Sequence, residues 1–299
     1  MRVLFFNRDP SLWQGGDMVQ MDNTMNALRK LGVECSFEYV VPSLVAYDAV
    51  HIMHINFDWT KAIAEQCLKD HKPYFISAIF YPFEYALTFK EMERYINLSS
   101  GVICLSEAEK KELIGQTHCN PELVHVIPNG VDTALFTRGR VEGKRAITLA
   151  RVSPEKGLIY AAKACKALNI PYVIAGEIKS DVYAQALKEQ GAVLLGKLDE
   201  HQVVEELHNS SIYICTSTSE RQSLGVLEAA ACGLPVVDSI FNRGSSLLPS
   251  SEVVNPFSER ELNSAIQKQW LAPTNIDEVP SWDDVGQKVL ELYERQTKS

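Results

Sequence analysis

Two carboxylates stand eight positions apart in the run Glu220-Arg-Gln-Ser-Leu-Gly-Val-Leu-Glu228. This spacing is about two helical turns, which suits two acceptors that contact different parts of one extended ligand. A glycosidase pair must flank a single bond at roughly 5–10 Å, so the pattern does not favour that chemistry. Because Glu228 precedes an apolar run, burying it without a role would be costly. The alternative is that Glu220 caps its helix and Glu228 is solvated.

Two cations lie upstream of these carboxylates, where a predicted strand gives way to a predicted helix. Arg151 follows the apolar run 146–150, and Lys156 comes five residues later. Positive charges at a strand end can neutralise a leaving diphosphate, most effectively where water is scarce. The main-chain N–H groups of residues 223–225, near the start of another predicted helix, would add phosphate donors. The alternative is that both cations are ordinary surface residues of a turn.

The first half of the chain carries weaker signals. Gly15-Gly16 lies on the predicted loop between the first strand and the first helix, where glycines let the backbone approach a ligand. His51 and His54 are predicted on opposite faces of one strand, which disfavours a shared metal ion. One is expected to be a packed core residue, and His54 alone to reach a ligand. Trp13 and Tyr81 could stack on sugars, with a structural role as the alternative.

The elements that must position these residues alternate along the chain. Short apolar runs that indicate strands, such as 3–6 and 146–150, are separated by amphipathic stretches of helical length, such as 18–31 and 157–168. Such alternation predicts parallel sheets with helices on both faces. The pattern restarts near residue 146. We therefore predict an α/β protein with two Rossmann-like domains, whose ligands bind beyond the strand ends in a cleft between the domains.

Length and composition agree with two domains of a soluble class. The chain has 299 residues, 46% of them apolar and 22% charged, enough for two cores of about 150 residues each. We predict a first domain at 1–136, a second at 137–275 with a charged linker at 137–144, and a closing helix in 276–299. The seven scattered cysteines, with no CxxC pair, indicate a reducing compartment and no metal site.

The charge of the chain disfavours several partners. The net charge is −9, and residues 1–136 carry 11 Lys and Arg against 17 Asp and Glu. A nucleic acid acceptor is therefore not expected, and neither is an acceptor held electrostatically at a membrane, although an apolar patch could give weak peripheral contact. The early charges exclude a signal peptide, and no apolar run is long enough to span a bilayer. We expect a cytoplasmic protein, at most peripheral to the inner face of a membrane.

The sequence resembles the retaining glycosyltransferases of family 4, which have the two-Rossmann GT-B fold. The matching segments, in chain order, are Gly15-Gly16, Ile103-Cys-Leu-Ser106-Glu, Val126-Ile-Pro-Asn129-Gly130-Val-Asp132, Arg151 with Lys156, Gly196-Lys197-Leu198, Glu220 to Glu228 with the tail Ala-Ala-Ala-Cys-Gly-Leu-Pro, and Pro280-Ser-Trp282 with Tyr293. The resemblance covers most of the chain and is more specific in the second half. It implies that the closing helix returns to the first domain.

The resemblance implies roles for these positions. Arg151, Lys156 and Glu220 would form the catalytic set, with the two cations on the donor diphosphate and Glu220 on the transferred sugar. Glu228 would bind the ribose hydroxyls. The remaining nucleotide-sugar contacts would come from Gly15, Gly16, Lys197, Leu198, Ser223, Leu224 and Gly225. The acceptor side would involve Trp13, His54, Tyr81 and Asn129.

The implied reaction is transfer from a nucleotide diphosphate-sugar, UDP- or GDP-linked, to a carbohydrate, lipid-linked or small-molecule hydroxyl. It would retain the anomeric configuration and require no metal or other cofactor. The chain departs from the family where a His usually follows the fourth strand, since 76–80 reads Ile-Ser-Ala-Ile-Phe, and where Arg221-Gln222-Ser223 replaces Gly-Phe-Gly. The alternatives are a nucleotide-sugar epimerase and a non-catalytic subunit that binds sugar nucleotides. A dehydrogenase is disfavoured because no GxGxxG follows the first strand.

Overall fold

The computed structural model describes residues 1–11, 15–83, 86–139, 144–272, 274–275 and 277–297. The predicted sugar-stacking residue Trp13 and the middle of the predicted linker, 140–143, lie outside the described residues. The chain divides into two compact units, Met1–Gly130 with Pro280–Ser299, and Val131–Val279. The domain boundaries proposed from the sequence, at 136/137 and 275/276, stay predictions.

The first unit is built on a six-stranded sheet in which every pair of neighbours is parallel. Its strands are β1 (Arg2–Phe6), β2 (Glu34–Glu38), β3 (Ala49–Met53), β4 (Tyr74–Ser77), β5 (Gly101–Cys104) and β6 (Val124–Val126). The order across the sheet is β2-β1-β3-β4-β5-β6. The helices between strands are α1 (Gly16–Lys30), α2 (Asp58–Lys69), α3 (Phe89–Asn97) and α4 (Glu107–Thr117). All residues of β3, β4 and β5 are buried, as expected for a parallel sheet covered on both faces.

The second unit repeats this plan. Its strands are β7 (Ala146–Leu149), β8 (Tyr172–Ala175), β9 (Val193–Gly196), β10 (Ile212–Ile214), β11 (Val236–Ser239) and β12 (Glu252–Val254). Their order is β12-β11-β10-β7-β8-β9, again parallel throughout. The helices are α5 (Leu158–Ala167), α6 (Asp181–Glu189), α7 (Glu200–His208), α8 (Leu224–Ala231) and α9 (Glu259–Trp270). The predicted α/β class with parallel sheets is confirmed. Neither β12, a three-residue edge strand, nor α9 is among the elements predicted from the sequence.

Local sequence signals explain where several helices begin. Thr88 and Glu91 form a capping box at the start of α3, and Asp199 and Gln202 form another at α7. Each box satisfies main-chain N–H groups that the first helical turn leaves without partners. The seven cysteines all carry free thiols, and six are buried. No helix among the described residues is long and apolar enough to cross a membrane.

The last helix, α10 (Trp282–Thr297), belongs to the first unit and packs on α1. Its Tyr293 hydroxyl hydrogen-bonds Nδ1 of the buried His51, whose Nε2 lies 2.8 Å from the Ser77 hydroxyl. Burial lowers the pKa of His51 to about 3, so the imidazole stays neutral. Because both ring nitrogens are paired, His51 is the packed core histidine that the sequence predicted.

Removing the Tyr293 hydroxyl should weaken the first unit. In Tyr293→Phe the ring still fills its site, but Nδ1 of His51 loses its partner while buried. Leaving a buried polar atom unpaired costs about 1–3 kcal/mol. We expect urea unfolding of the variant at a lower midpoint than wild type. The control Tyr39→Phe, at a residue that is 46% exposed, should leave the midpoint unchanged. Equal midpoints for the two variants would show that the hydrogen bond does not stabilise the fold.

Candidate active site

The strand order of the second sheet creates a switch point between β7 and β10. From β7 the chain builds outward through β8 and β9, then returns to add β10, β11 and β12 on the other side. The loops that leave the carboxyl ends of β7 and β10 therefore diverge from a shared crevice. Such crevices are where open parallel sheets bind ligands. The two loops, 150–157 and 215–223, contain four of the residues singled out from the sequence, namely Arg151, Lys156, Glu220 and Ser223.

Main-chain contacts hold these two loops together. The N–H and the hydroxyl of Thr218 both donate to the Glu155 carbonyl, at 2.9 and 3.0 Å, and the Thr216 hydroxyl donates to the Gly157 carbonyl at 3.0 Å. Residues some sixty positions apart in sequence are thus fixed side by side. Their side chains acquire a defined separation, which a functional constellation needs.

Lys156 and Glu220 form an ion pair at this point. The ammonium group of Lys156, which ends a short 3₁₀ turn (Pro154–Lys156), donates to Oε1 of Glu220. The side chains are only 15% and 14% exposed, so solvent screens the pair less than a surface ion pair. The Ser217 hydroxyl adds a hydrogen bond to the same oxygen at 3.1 Å. The carboxylate is therefore held in one orientation.

A third loop supports the main chain of Glu220. The Glu220 N–H donates to the Phe241 carbonyl, and the Arg243 N–H donates to the Glu220 carbonyl, both at 3.1 Å. The supporting loop is anchored by the buried Asp238, which accepts from the Asn242 amide at 2.8 Å. Burial raises the pKa of Asp238 to about 7. This anchor was not predicted from the sequence, although its signal is visible as an acidic residue directly after the apolar run 235–237.

Gly157 allows the loops to meet. Its φ of +60° lies in the left-handed region, and a Cβ there would come within 2.1 Å of the Thr216 carbonyl oxygen. Only glycine combines this backbone conformation with such a close approach.

The substitution Gly157→Ala should therefore open the junction between the loops. Gly191→Ala is a matched control, because Gly191 also has a positive φ, +87°, but no neighbouring atom within 4 Å of a built Cβ. We expect the control to lose roughly 1–2 kcal/mol, the cost of left-handed backbone in alanine. Gly157→Ala should lose about 2 kcal/mol more and bind nucleotide more weakly. Similar urea midpoints for the two variants would contradict this role for Gly157.

Arg151 lies half-buried at the end of β7, with its guanidinium 3.7 Å from the Glu155 carboxylate. Although burial opposes it, a hydrogen bond from Ser153 and the charges of Arg151 and Lys156 lower the pKa of Glu155. The hydrogen bond from Lys179 lowers the pKa of Glu177, with smaller effects of Lys197 and Arg151. Arg151 thus lies among ionised carboxylates, near the loop that follows β9.

The amino end of α8 completes this region. Its N-cap, Ser223, makes no side-chain hydrogen bond to the helix, so the N–H groups of the first turn keep their donor capacity. A Cβ on Gly225 would lie 2.5 Å from the Tyr213 hydroxyl and 3.0 Å from the Leu149 carbonyl oxygen. Gly225 therefore lets the first turn of α8 approach the end of β7. Leu224 is the first residue of α8.

Glu228 lies in the same helix, half-buried, without a hydrogen-bonded side chain among the described residues. Burial, with a smaller effect of the Glu200 charge, raises the pKa of Glu228 to about 7. A carboxylate in this state is poised to gain from hydroxyl donors. Lys197 and Leu198 follow the edge strand β9, and the charges of Lys197 and Arg151 both act on Glu177. Lys197 is exposed and Leu198 half-buried.

In the first unit the structure corrects one prediction. His54 does not lie on a strand with His51, because β3 ends at Met53 and His54 has a φ of +69°. It contacts Asp17 in the first turn of α1, a residue to which no role was assigned from the sequence. Gly15 caps α1 in extended conformation, and Gly16 begins it with open space around its Cβ position.

The other two predicted acceptor-side residues have structural surroundings. The side chain of Asn56 hydrogen-bonds both the N–H and the carbonyl of Tyr81, which fixes the main chain at that point. Asn129 is buried, and a Cβ on the following Gly130 would lie 2.5 Å from the Trp282 nitrogen. The Asn-Gly pair therefore lies where the chain packs closely on the start of α10.

Comparisons with known proteins agree with this geometry. Residues 137–246 match the family model of group 1 glycosyl transferases, and residues 38–135 match that of glycosyltransferase family 4. The chain belongs to the group 1, or family 4, glycosyltransferases. It is 27% identical over 221 residues to a subunit of human phosphatidylinositol N-acetylglucosaminyltransferase, an alignment that covers 65% of this chain and 46% of the human protein. An Escherichia coli UDP-Gal:α-D-GlcNAc-diphosphoundecaprenol α-1,3-galactosyltransferase is 26% identical over 189 residues, 54% of this chain and 48% of that one.

The chain thus spans about half the length of the curated relatives it matches. Solved structures cover it fully. HepE from Anabaena in complex with UDP and glucose superimposes with a TM-score of 0.79 at 17% identity, covering 98% of this chain and 99% of HepE. Sucrose-phosphate synthase from Thermosynechococcus elongatus gives a TM-score of 0.81 at 13% identity, with 98% of each chain covered. The predicted GT-B fold is confirmed.

Proposed function

We propose that this chain transfers a sugar from a nucleotide diphosphate-sugar to a hydroxyl group of a carbohydrate, lipid-linked or small-molecule acceptor, with retention of the anomeric configuration. The observation that carries the proposal is the junction of the two loops of the second unit. There Lys156 and Glu220 are paired, Arg151 begins the same loop, and the amino end of α8 lies close to the end of β7.

The junction offers what a leaving diphosphate requires. Arg151 and Lys156 supply two positive charges, and residues 223–225 supply main-chain donors at a helix amino end. Both act on charge that develops as the bond to the sugar breaks, and both are in place before the reaction. In this proposal the two cations supply the positive charge at the diphosphate, and no metal ion is required. Among the described residues, no cluster of His, Cys, Asp or Glu could hold a metal ion.

The two carboxylates would bind the remaining parts of the donor, its sugar and its ribose. Glu220 would accept hydroxyl hydrogen bonds from the transferred sugar, since it lies beside Lys156, the proposed contact of the diphosphate. Glu228, about two helical turns further on, would accept from the ribose. The UDP ligand of the structural relative HepE supports UDP as the first nucleotide to test.

A binding subunit without catalytic activity is the second candidate. The human relative is by its name one subunit of a transferase, and this chain matches less than half of it. Such a subunit would bind the donor and leave it intact. The Lys156–Glu220 pair favours the enzyme, because it holds a cation suited to the leaving diphosphate beside an acceptor suited to the transferred sugar.

The experiment is a thermal-shift screen of UDP, GDP, ADP, CMP and their common sugar conjugates, followed by incubation of the donor that binds with a hydroxyl acceptor, glycerol or methyl α-glucoside. Proton NMR then follows release of the nucleoside diphosphate and the anomeric coupling of the product. Nucleotide release with an axial linkage from an axial donor supports a retaining transferase. Binding without release supports the non-catalytic candidate. An inverted product contradicts retention, and no binding contradicts both candidates.

A further inference from the structure

The first sheet has a switch point of its own, between β1 and β3. The chain adds β2 on one side of β1, then crosses back to place β3 on the other side. The segments that follow these two strands carry Arg8 and His54, and the first turn of α1 carries Asp17. By the same rule that locates the junction of the second unit, this is where the first unit would bind a ligand.

The three side chains form one hydrogen-bonded cluster. Arg8 binds both oxygens of Asp17, with contacts of 2.5 and 2.8 Å, and Nε2 of His54 lies 3.2 Å from Oδ2 of Asp17. Their side chains are 12%, 10% and 7% exposed. Although burial opposes it, the hydrogen bonds from His54 and Arg8 hold the pKa of Asp17 well below its usual range. The carboxylate is therefore ionised, and both of its oxygens are hydrogen-bonded.

The contact with Asp17 sets the state of the imidazole. Nε2 lies closer to the Asp17 carboxylate, at 3.2 Å, than to Nη1 of Arg8, at 3.4 Å. We infer that Nε2–H donates to Asp17, which leaves Nδ1 of His54 as an unprotonated acceptor. This nitrogen is buried and has no hydrogen-bond partner among the described residues. In contrast, both ring nitrogens of His51 are hydrogen-bonded within the core.

The backbone of His54 is held in a costly conformation. A φ of +69° is uncommon for a residue with a side chain, and costs of order 1–3 kcal/mol. It is fixed from both sides, because the His54 N–H donates to the Ser77 carbonyl at 2.8 Å and the His54 carbonyl accepts from the Thr60 hydroxyl at 2.9 Å. This placement of the ring therefore lowers the stability of the fold, and it leaves Nδ1 without a partner among the described residues.

We propose that Nδ1 of His54 accepts a hydrogen bond from a hydroxyl group of the sugar acceptor. The inference rests on the proposed function for the identity of that ligand as an acceptor. The ligand chemistry follows from charge. Arg8 and Asp17 neutralise each other, so the cluster keeps no net charge from this pair to attract an anion, whereas a hydroxyl would satisfy the lone pair of Nδ1. Arg8 and Asp17 act as positioning residues that fix the ring and its tautomer.

Two substitutions separate the two nitrogens. His54→Asn places an amide near the former Nδ1 and gives up the contact with Asp17, and asparagine also tolerates positive φ best. His54→Gln places its amide near the former Nε2 and gives up Nδ1. We expect His54→Gln to raise the acceptor KM about tenfold or more, the value of one lost hydrogen bond, and His54→Asn to raise it less. Donor hydrolysis by water, with UDP-glucose, is measured alongside to report donor binding separately from acceptor binding. His118→Gln is the control, at an exposed histidine that also has positive φ.

A second measurement does not depend on turnover. Two-bond proton–nitrogen NMR spectra of the wild-type chain, assigned with His54→Asn, report which nitrogen of His54 carries the proton. Glycerol and methyl α-glucoside serve as hydroxyl probes. We expect an Nε2–H tautomer whose Nδ1 resonance moves with the probes, while the resonances of His51 do not. An Nδ1–H tautomer, an Nδ1 resonance that neither probe moves, or equal acceptor KM values for the two variants would overturn the proposal. If no donor is turned over, the proposed function fails, and the NMR result alone decides the role of His54.

Discussion

Replacing Lys156 with alanine is expected to lower the rate of sugar transfer at saturating donor by about 10²–10³, the usual cost of removing one stabiliser of a developing anion. Lys156 is the cation that contacts Glu220 in a largely buried pair. Its loss removes charge from the diphosphate side and leaves Glu220 without its ionic partner. Arg151→Ala should lower the rate by a similar factor. Steady-state release of nucleoside diphosphate measures both.

The control for Lys156→Ala is Lys163→Ala, at an exposed position of α5. This change removes one positive charge from the same unit without altering the junction, so we expect turnover within about twofold of wild type. Circular dichroism and the urea midpoint establish that all variants are folded. Turnover of Lys156→Ala and Arg151→Ala at the rate of Lys163→Ala would remove the diphosphate role from both cations and with it the main support for the proposed reaction.

Donor affinity is expected to rise with pH through about 7 and to lose this dependence in Glu228→Gln. Burial raises the pKa of Glu228 to about 7, so near-neutral solutions contain both forms of the free protein. Ribose hydroxyls donate best to the ionised carboxylate. Each pH unit below about 7 should therefore weaken binding by up to tenfold. UDP-glucose is the appropriate probe, since its diphosphate diester does not titrate in this range. Calorimetric Kd values at about pH 5.5 and about pH 8 measure the effect.

The same pKa predicts the opposite trend for stability. The unfolded chain ionises Glu228 at its usual pKa near 4.5, whereas the folded chain holds the proton until about pH 7. Stability contributed by the protonated form is thus complete below about pH 4.5, declines as the pH rises to about 7, and stays low above that. The free energy gained by Glu228→Gln over wild type should grow by about 2–3 kcal/mol across this range.

The comparison of Glu228→Gln with wild type also distinguishes the titration of Glu228 from that of Asp238. The pKa of Asp238 is likewise raised to about 7 by burial, but Asp238 is present in both wild type and Glu228→Gln, so its contribution cancels in their difference. A constant difference between the two proteins from about pH 4.5 to 8 would show that Glu228 titrates normally. A pH-independent Kd in wild type would exclude its carboxylate from the donor site.

Much of the fold could be predicted from local sequence, because most strands and helices have a recognisable pattern of apolar residues. Apolar runs such as 49–53 are buried on both faces and read as strands, and periodic stretches such as 18–31 read as helices. Their alternation determines parallel sheets, since parallel strands need a crossover between them. The prediction failed where this signal is short, at the edge strand β12, and at His54, where a strand-like pattern runs past the actual end of β3.

The sequence by itself determined the fold class, the family and the residue types that the donor site would need, because these depend on local pattern and motif. Only the tertiary structure decided which of them meet. The pairing of Lys156 with Glu220 depends on the order of strands across the second sheet, and the Arg8–Asp17–His54 cluster depends on the order across the first. Strand order is a property of long-range pairing. It brings together the ends of strands that are far apart in the chain, and no local pattern records it.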